Sequence, residues 1–295
     1  MSASGLTAAM SDPSSAGESV LPPRRPGRTL QLLSLALSRR MAVRIASLGL
    51  CIGLWQIASV HHLNAGVVTF ALVPAPSEVA SAAWELINSP KVLHHLANSL
   101  WRVFAGFTAA AVIGIAAGLA VGRSRWIADI LMPPLEVLRP IPGVAWIPLA
   151  ILMFPSSELS MIFITFMGAF FPILLNTIHG VDGLDRRLIA AARSLGADRW
   201  SVFSEVILPG SAPSILTGLS IGMGTSWFCL VTAEMIAGQY GIGYYTWESY
   251  NLQRYPDIVV GMLTIGLFGM ASSSLVTWVG RLLMPWYRLG AKQGS

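Results

Sequence analysis

Apolar residues in this chain fall in long uninterrupted runs, and most charged residues are gathered into short stretches between them. A helix needs about 20 residues to cross roughly 30 Å of hydrocarbon at 1.5 Å per residue. By that measure the pattern predicts six spans, at residues 41–60, 103–122, 127–153, 159–179, 210–236 and 258–284. The runs are too long and too continuously apolar for barrel strands, whose lipid-facing residues alternate. The predicted fold class is therefore an all-α integral membrane protein with six transmembrane helices.

Between the first two spans the pattern changes. After Pro74 and Pro76, Ser77 can cap a helix whose apolar positions Val79, Ala83, Leu86 and Ile87 share one face. Pro90 ends it, and Val92, Leu93, Leu96 and Leu100 begin another that leads into Trp101. Both read as external interfacial helices over about 77–100. Residues 1–30, rich in Ser, Ala, Pro and Gly, read as a disordered tail; residues 31–288 form the membrane domain, and 289–295 a second short tail. The first apolar run starts after residue 30 and reaches spanning length, which argues against a cleavable signal peptide.

Composition strengthens the membrane reading. The chain is 54% hydrophobic and only 11% charged, against about a quarter charged in soluble domains, so little polar surface remains to coat a globule. Charge orients the spans, since Lys and Arg collect in cytoplasmic loops. With both termini inside, fifteen fall on the cytoplasmic side, only Lys91, Arg102 and Arg254 lie outside, and Arg139 sits within a span. The net charge of +5 then belongs to a basic face beside anionic lipid. No aromatic-interleaved basic patch calls for nucleic acid.

Catalytic patterns are missing. The only lysines are Lys91 and Lys292, so no Gly-Lys-Ser/Thr phosphate loop exists, nor does any His-Glu-x-x-His, Gly-x-Ser-x-Gly or Cys-x-x-Cys. The reading is a transport subunit, not an enzyme, with no cofactor and no metal of its own. Cys51 and Cys229 read as packing residues. His61-His62 and His94-His95 read as interfacial polar groups, because adjacent helical histidines point to different sides and no carboxylate or thiol completes a shell.

Two places carry candidate chemistry. Arg139, between Leu138 and Pro140, would be costly facing lipid. Glu136 is near but placed on a different side of a regular helix, which leaves Glu234 as the candidate partner. Pro140 and Pro142 break or kink the span there, and such a break is tolerated where it lines a cavity. Arg139, Trp146, Trp227 and Glu234 are thus candidates to border a translocation path; the alternative is a structural ion pair among core aromatics. Gly106, Gly114, Gly118, Gly218, Gly222 and Gly224 fit either sliding helices or ordinary tight packing.

The second place is the connection between spans four and five, LDRRLIAAARSLGADRWSVFSEVIL over 184–208, followed by Pro209. Leu184, Leu188, Ala191 and Leu195 form an apolar stripe. After a break at Gly196, Asp198 can cap a second short helix bearing Trp200, Phe203 and Ile207, which Pro209 ends. Two short helices joined at a glycine make a stiff knob suited to a groove on another protein. A surface helix on the inner leaflet is the equally weighted alternative.

This segment resembles the EAA loop of ABC importer permeases: Glu-Ala-Ala, three residues, Gly, nine residues, Ile, one residue, Leu-Pro. Here Ala190-Ala191-Ala192, Gly196, Val206, Leu208 and Pro209 keep the full spacing, with Ala190 in place of the Glu and Val206 in place of the Ile. The missing carboxylate shifts coupling toward shape and Arg193. LVPAPSEV at 72–79, SLWRVFAGF at 99–107, LRPIPGVAWIPLAILMF at 138–154 and GAFFPILLNTIHGV at 168–181 are similar to the nitrate, sulfonate, taurine and bicarbonate permeases. TGLSIGMGTSWFCLVTAEM at 217–235 and GIGYYTWESYN at 241–251 look most like the nitrate and bicarbonate branch.

The resemblance implies the type I importer permease fold in the bacterial inner membrane. It implies a second permease copy, as a homodimer, a cytoplasmic ATPase dimer that binds ATP and Mg, and an extracytoplasmic substrate-binding protein. The substrate expected is a small anion, nitrate/nitrite or bicarbonate, with aliphatic sulfonate or taurine as the alternative. An ion-coupled secondary transporter is the rival class.

Overall fold

The structure is a computed structural model describing residues 26–286 apart from 65, 67 and 68, with side chains from residue 41 onward. The expected tails fall mostly outside these residues, although a helix already begins at Pro26, inside the stretch read as tail. Every element with more than one turn is helical, joined by short connections. α1 covers Pro26–Val60, and its Met41–Val60 part is long and apolar enough to cross a membrane.

α2, Pro76–Asn88, starts with Pro at its first position, and Glu78 reaches back to accept from the Ala75 N–H at 3.0 Å. Its apolar face buries Val79 and Ala82 against Val260, with Trp55 from the last turns of α1 alongside. Gln56 and Ser77 exchange two hydrogen bonds, of 3.1 and 3.2 Å, across the same contact.

α3 runs without interruption from Pro90 to Arg123. This joins into one helix the interfacial segment and the span at 103–122 that the sequence predicts separately. Nothing there breaks a helix, since each residue keeps its N–H and none forces an unusual φ. At spacing of four, Gly106, Gly114, Gly118 and Gly122 meet α6, Ser157–Asp182. A Cβ at Gly106 would lie 2.7 Å from the Ile162 carbonyl oxygen, and one at Gly118 would lie 2.6 Å from Thr177 Cβ. The backbones approach this closely because the side chains are absent, the usual device where lipid supplies no hydrophobic drive between helices.

α4, Arg125–Leu138, and α5, Ile147–Met153, are together long and apolar enough for one span but are bent by 85°, with a 3₁₀ turn at Gly143–Trp146 between them. Pro140 and Pro142 lack the N–H groups that would bond the carbonyls of Glu136 and Leu138, so the α ladder cannot continue. Gly143 then settles against Gly168 and the Cys229 sulfur, level with the middle of α6.

α6 is the central strut. α3 closes on one side of it, and α9, Leu208–Ala237, closes on the other through Gly218 and Gly222. Pro172 within α6 withholds the N–H that Gly168 would have accepted, and the Thr225 hydroxyl of α9 donates to that carbonyl at 2.7 Å instead. The main core collects Val103 and Phe107 of α3, Ile164 and Ile173 of α6, and Met223, Trp227 and Leu230 of α9. Gly224 has nothing near it, so only five of the six glycines singled out in the sequence are close-packing positions. Between α6 and α9 stand α7, Arg186–Ser194, and the single turn α8, Arg199–Ser201. Beyond α9 come α10, Ile242–Asn251, and α11, Tyr255–Leu283.

Candidate functional site

At the end of the bundle where α3 and α6 begin and α9 stops, the chain buries a network of charges. Arg102 is 1% exposed and Glu234 is fully buried. The Arg102 guanidinium donates through Nη1 to Glu234 Oε1 at 2.8 Å and to the Tyr240 carbonyl at 2.6 Å. Its Nε donates to Glu158 Oε2 at 2.8 Å, and Nη2 completes a two-pronged pair with the same carboxylate. Glu234 also accepts from the Ser99 hydroxyl at 2.7 Å and the Gly243 N–H at 2.9 Å. Donors surround both oxygens of this buried carboxyl group, and the network stands because every polar group in it has a partner.

This carboxylate shapes the connection after α9. Gly241 has φ +127°, and a Cβ there would run into the Glu234 carboxyl group. Its N–H donates to His95 Nδ1 at 3.1 Å, and the Ile242 N–H donates to Ser99 at 2.9 Å. α10 is thereby tied to α3, α6 and α9 through one buried acid. On α10, the Glu248 carboxylate beside Tyr244 pushes that phenol above its usual range.

The opposite end carries the knob. Asp185 caps α7 by accepting from the Arg187 N–H at 2.8 Å. The helix closes in a Schellman turn: the Ala197 N–H bonds Ala192 O at 3.1 Å, the Gly196 N–H bonds Arg193 O at 3.0 Å, and Gly196 sits at φ +88°. Asp198 then caps α8 by accepting from the Ser201 N–H at 2.9 Å, and the Ser201 hydroxyl together with that N–H holds its carboxyl below the usual range. Ile189, Ala192, Ala197 and Phe203 pack inward on Val181, Val202 and Ile207. Leu188, Leu195 and Trp200 face away, 57%, 89% and 70% exposed. Ala190, Ala191 and Arg193 are exposed with them.

Pro209 does not end the knob. Arg199 to Ala237 is one continuous helix, with a π turn over Val202–Ile207 that absorbs the missing Pro209 N–H. The second knob helix is therefore the end of α9, which puts the knob in direct mechanical line with a span.

At the break between α4 and α5, Arg139 is exposed and, among the described residues, forms no ion pair. The Trp146 indole N–H is buried without a hydrogen-bond partner. Trp227 is buried in the core and donates to the Ser272 hydroxyl at 2.8 Å.

Residues 110–289 match the family of binding-protein-dependent transport system inner membrane components. A nitrate import permease of Synechocystis sp. is 34% identical, covering 88% of this chain and 96% of the relative. An Escherichia coli permease named for aliphatic sulfonates transport is 35% identical over 84% of this chain and 94% of its own length. The taurine transport system permease of Escherichia coli is 31% identical over 85% and 92%. The chain belongs to this permease family.

Within the permease, the sequence candidates separate. Ala190 to Arg193 and Gly196 lie together on the knob, with Leu208 and Pro209 in the helix behind it. Arg139 and Glu234, read as partners, are not paired: Glu234 belongs to Arg102 and Ser99, and Arg139 stands apart. The charge pattern places Arg102 in an external loop and does not single out Glu158, whereas the structure buries Arg102 against both Glu158 and Glu234. The signal lay in spacing, because Ser99, Arg102 and Gly106 continue at three and four residues the stripe that meets α6. His94 packs edge-on to Tyr240 with centroids 4.5 Å apart, and Cys229 fills the seat of Gly143 and Gly168.

Proposed function

We propose that this permease is the membrane subunit of an ATP-driven importer of a small anion, working with a second copy of itself, a cytoplasmic ATPase dimer and an extracytoplasmic binding protein. The observation that carries this reading is the knob. Its inner face is packed and its turns are capped, so the exposed row of Leu188, Ala191, Leu195 and Trp200 is a preformed apolar ridge. Such a ridge fits a groove on a soluble partner by the helix-in-groove mode.

The ATPase binds ATP and Mg, and its closure moves the knobs. Because α8, the π turn and α9 are continuous, a pull on the ridge acts on α9 along its length. α9 is locked to α6 and α3 by close contacts, so the three move as a body rather than bending. Both termini face the cytoplasm with the knob. Arg139 and Trp146 border the path, while Trp227 and Glu234 brace its wall.

Relatives of near-equal identity are named for nitrate, sulfonate and taurine. Nitrate and sulfonate share a compact oxygen-bearing anionic group, and nitrate or bicarbonate is the substrate we favour.

The test is capture of the ATPase from mildly solubilised membranes by tagged permease. Wild type is expected to retain it, and both Gly196→Pro and Leu195→Glu to lose it. Leu195→Glu changes a side chain that supports nothing in this chain, so lost capture by that variant reports the contact itself. Retention by both variants, or nitrate uptake by the purified chain without ATP, would replace this reading with a secondary carrier.

A further inference from the structure

α4 differs from α3, α6, α9 and α11, each of which has buried residues. No residue in it is buried, and only Ala128, Met132 and Leu135 rest partly against the α3 and α6 side chains. Asp129, Glu136 and Arg139 are exposed. Gly122 packs on Val181, so α4 departs from the knob end of the bundle. At 1.5 Å per residue, Glu136 lies about 17 Å and Arg139 about 21 Å along the path from Arg125. Both positions are deep inside roughly 30 Å of hydrocarbon. The seating of Gly143 on Gly168, halfway along α6, fixes the same depth independently.

Lipid does not accept an unpaired carboxylate and guanidinium at that depth. Within the described residues neither group has an ionic partner. Opposite charges three residues apart do, however, make a surface complementary to itself. A two-fold axis along the membrane normal brings equal depths of two copies together, each presenting the same patch to the other. Glu136 of one copy then lies within about one helical turn in depth of Arg139 of the other, so the two can pair reciprocally where these faces meet.

We propose that Glu136 and Arg139 form a mid-membrane anion gate completed by a second copy of this chain. Closed, two reciprocal ion pairs seal the path. Open, the transported anion replaces the carboxylate on Arg139, so an anion satisfies the site, a cation is repelled by it, and a neutral solute cannot exchange into it. The broken span suits this role, because ending α4 at Arg139 leaves the charge at the mouth of a bend instead of inside a continuous helix. The gate rests on the anion-importer reading, but its test is separate from capture of the ATPase.

The experiment uses the full chain in proteoliposomes. Under mild oxidation, Glu136→Cys in a Cys51→Ser background is expected to give a disulfide-linked dimer. With potassium nitrate as probe and no ATP, Glu136→Gln is expected to raise passive nitrate flux at least tenfold over wild type, with no matching rise for potassium. Arg139→Gln should abolish that flux, and the exchange Glu136→Arg with Arg139→Glu should restore sealing without restoring nitrate passage. Absence of both the cross-link and the leak in chains that elute as folded protein would overturn the gate. A cross-link and leak in a chain that captures no ATPase would keep the gate and remove the importer reading.

Discussion

The bundle holds two arginine and carboxylate groupings inside its membrane spans, and they are opposites. Arg102 and Glu234 are buried, bonded on every polar atom that matters, and tied to backbone groups of a neighbouring connection. Arg139 and Glu136 are exposed and unpaired within the described residues. A charge that its own chain has fully answered is architecture. One left open at membrane depth marks a surface that something else must meet, whether a second copy, water or a passing anion.

The sharpest way to break this comparison is to delete each arginine and measure unfolding. Arg102→Met leaves Glu234 buried without its countercharge, an error costing about 3–5 kcal/mol. Thermal unfolding in detergent should fall steeply for Arg102→Met and much less for Arg139→Gln. Equal losses for the two would show that Arg139 is also architectural. Glu158→Gln should cost less than Arg102→Met, since Glu158 is half in solvent.

A second cut concerns the connection that Glu234 organises. Gly241→Ala places a methyl group against the carboxylate at a φ that favours glycine, and strain of this kind amounts to about 1–3 kcal/mol. The expected result is a lower unfolding temperature together with faster chymotryptic cleavage at Tyr240. Unchanged cleavage would mean that the connection does not depend on the buried acid.

How much of this was legible beforehand follows the same division. Apolar runs revealed the six spans, Pro140 and Pro142 revealed the break, and Gly196 with Asp198 revealed the turn of the knob, because each acts locally. Arg102 was misplaced because a hydropathy pattern treats any charge as a loop and carries no record of a partner 132 residues away in the chain. The continuity of α8 with α9 was missed for a related reason. A proline ends a helix in a local reading, whereas the π turn before Pro209 lets the chain continue.

A smaller effect is expected where the answering group is a hydroxyl rather than a charge. Thr225→Val strips the donor from the Gly168 carbonyl that Pro172 orphaned. Hydroxyl bonds between membrane helices average about 0.6 kcal/mol and reach about 1.7. Thr225→Ser should recover most of the loss, measured as steric-trap or thermal unfolding. A serine variant as weak as valine would assign the effect to methyl packing.

The smallest change belongs to a carboxylate with water on every side. Asp198 caps α8 at the tip of the knob, so Asp198→Ala should speed amide exchange at Ser201, whose N–H the side chain accepts, and leave the spans untouched. The folded pKa lies below the unfolded one, so the cap's contribution is complete above the unfolded value of about 3.9 and fades as pH falls through the lower folded value. Exchange at Ser201, corrected for intrinsic rates, should therefore be flat from neutral pH to about 5 and rise only in stronger acid. Asp198→Asn keeps the acceptor without the titration, so its Ser201 protection should match wild type at pH 7 and persist in acid. Rapid exchange in the asparagine variant at pH 7 would show that charge, rather than the cap's hydrogen bond, holds the tip of the knob.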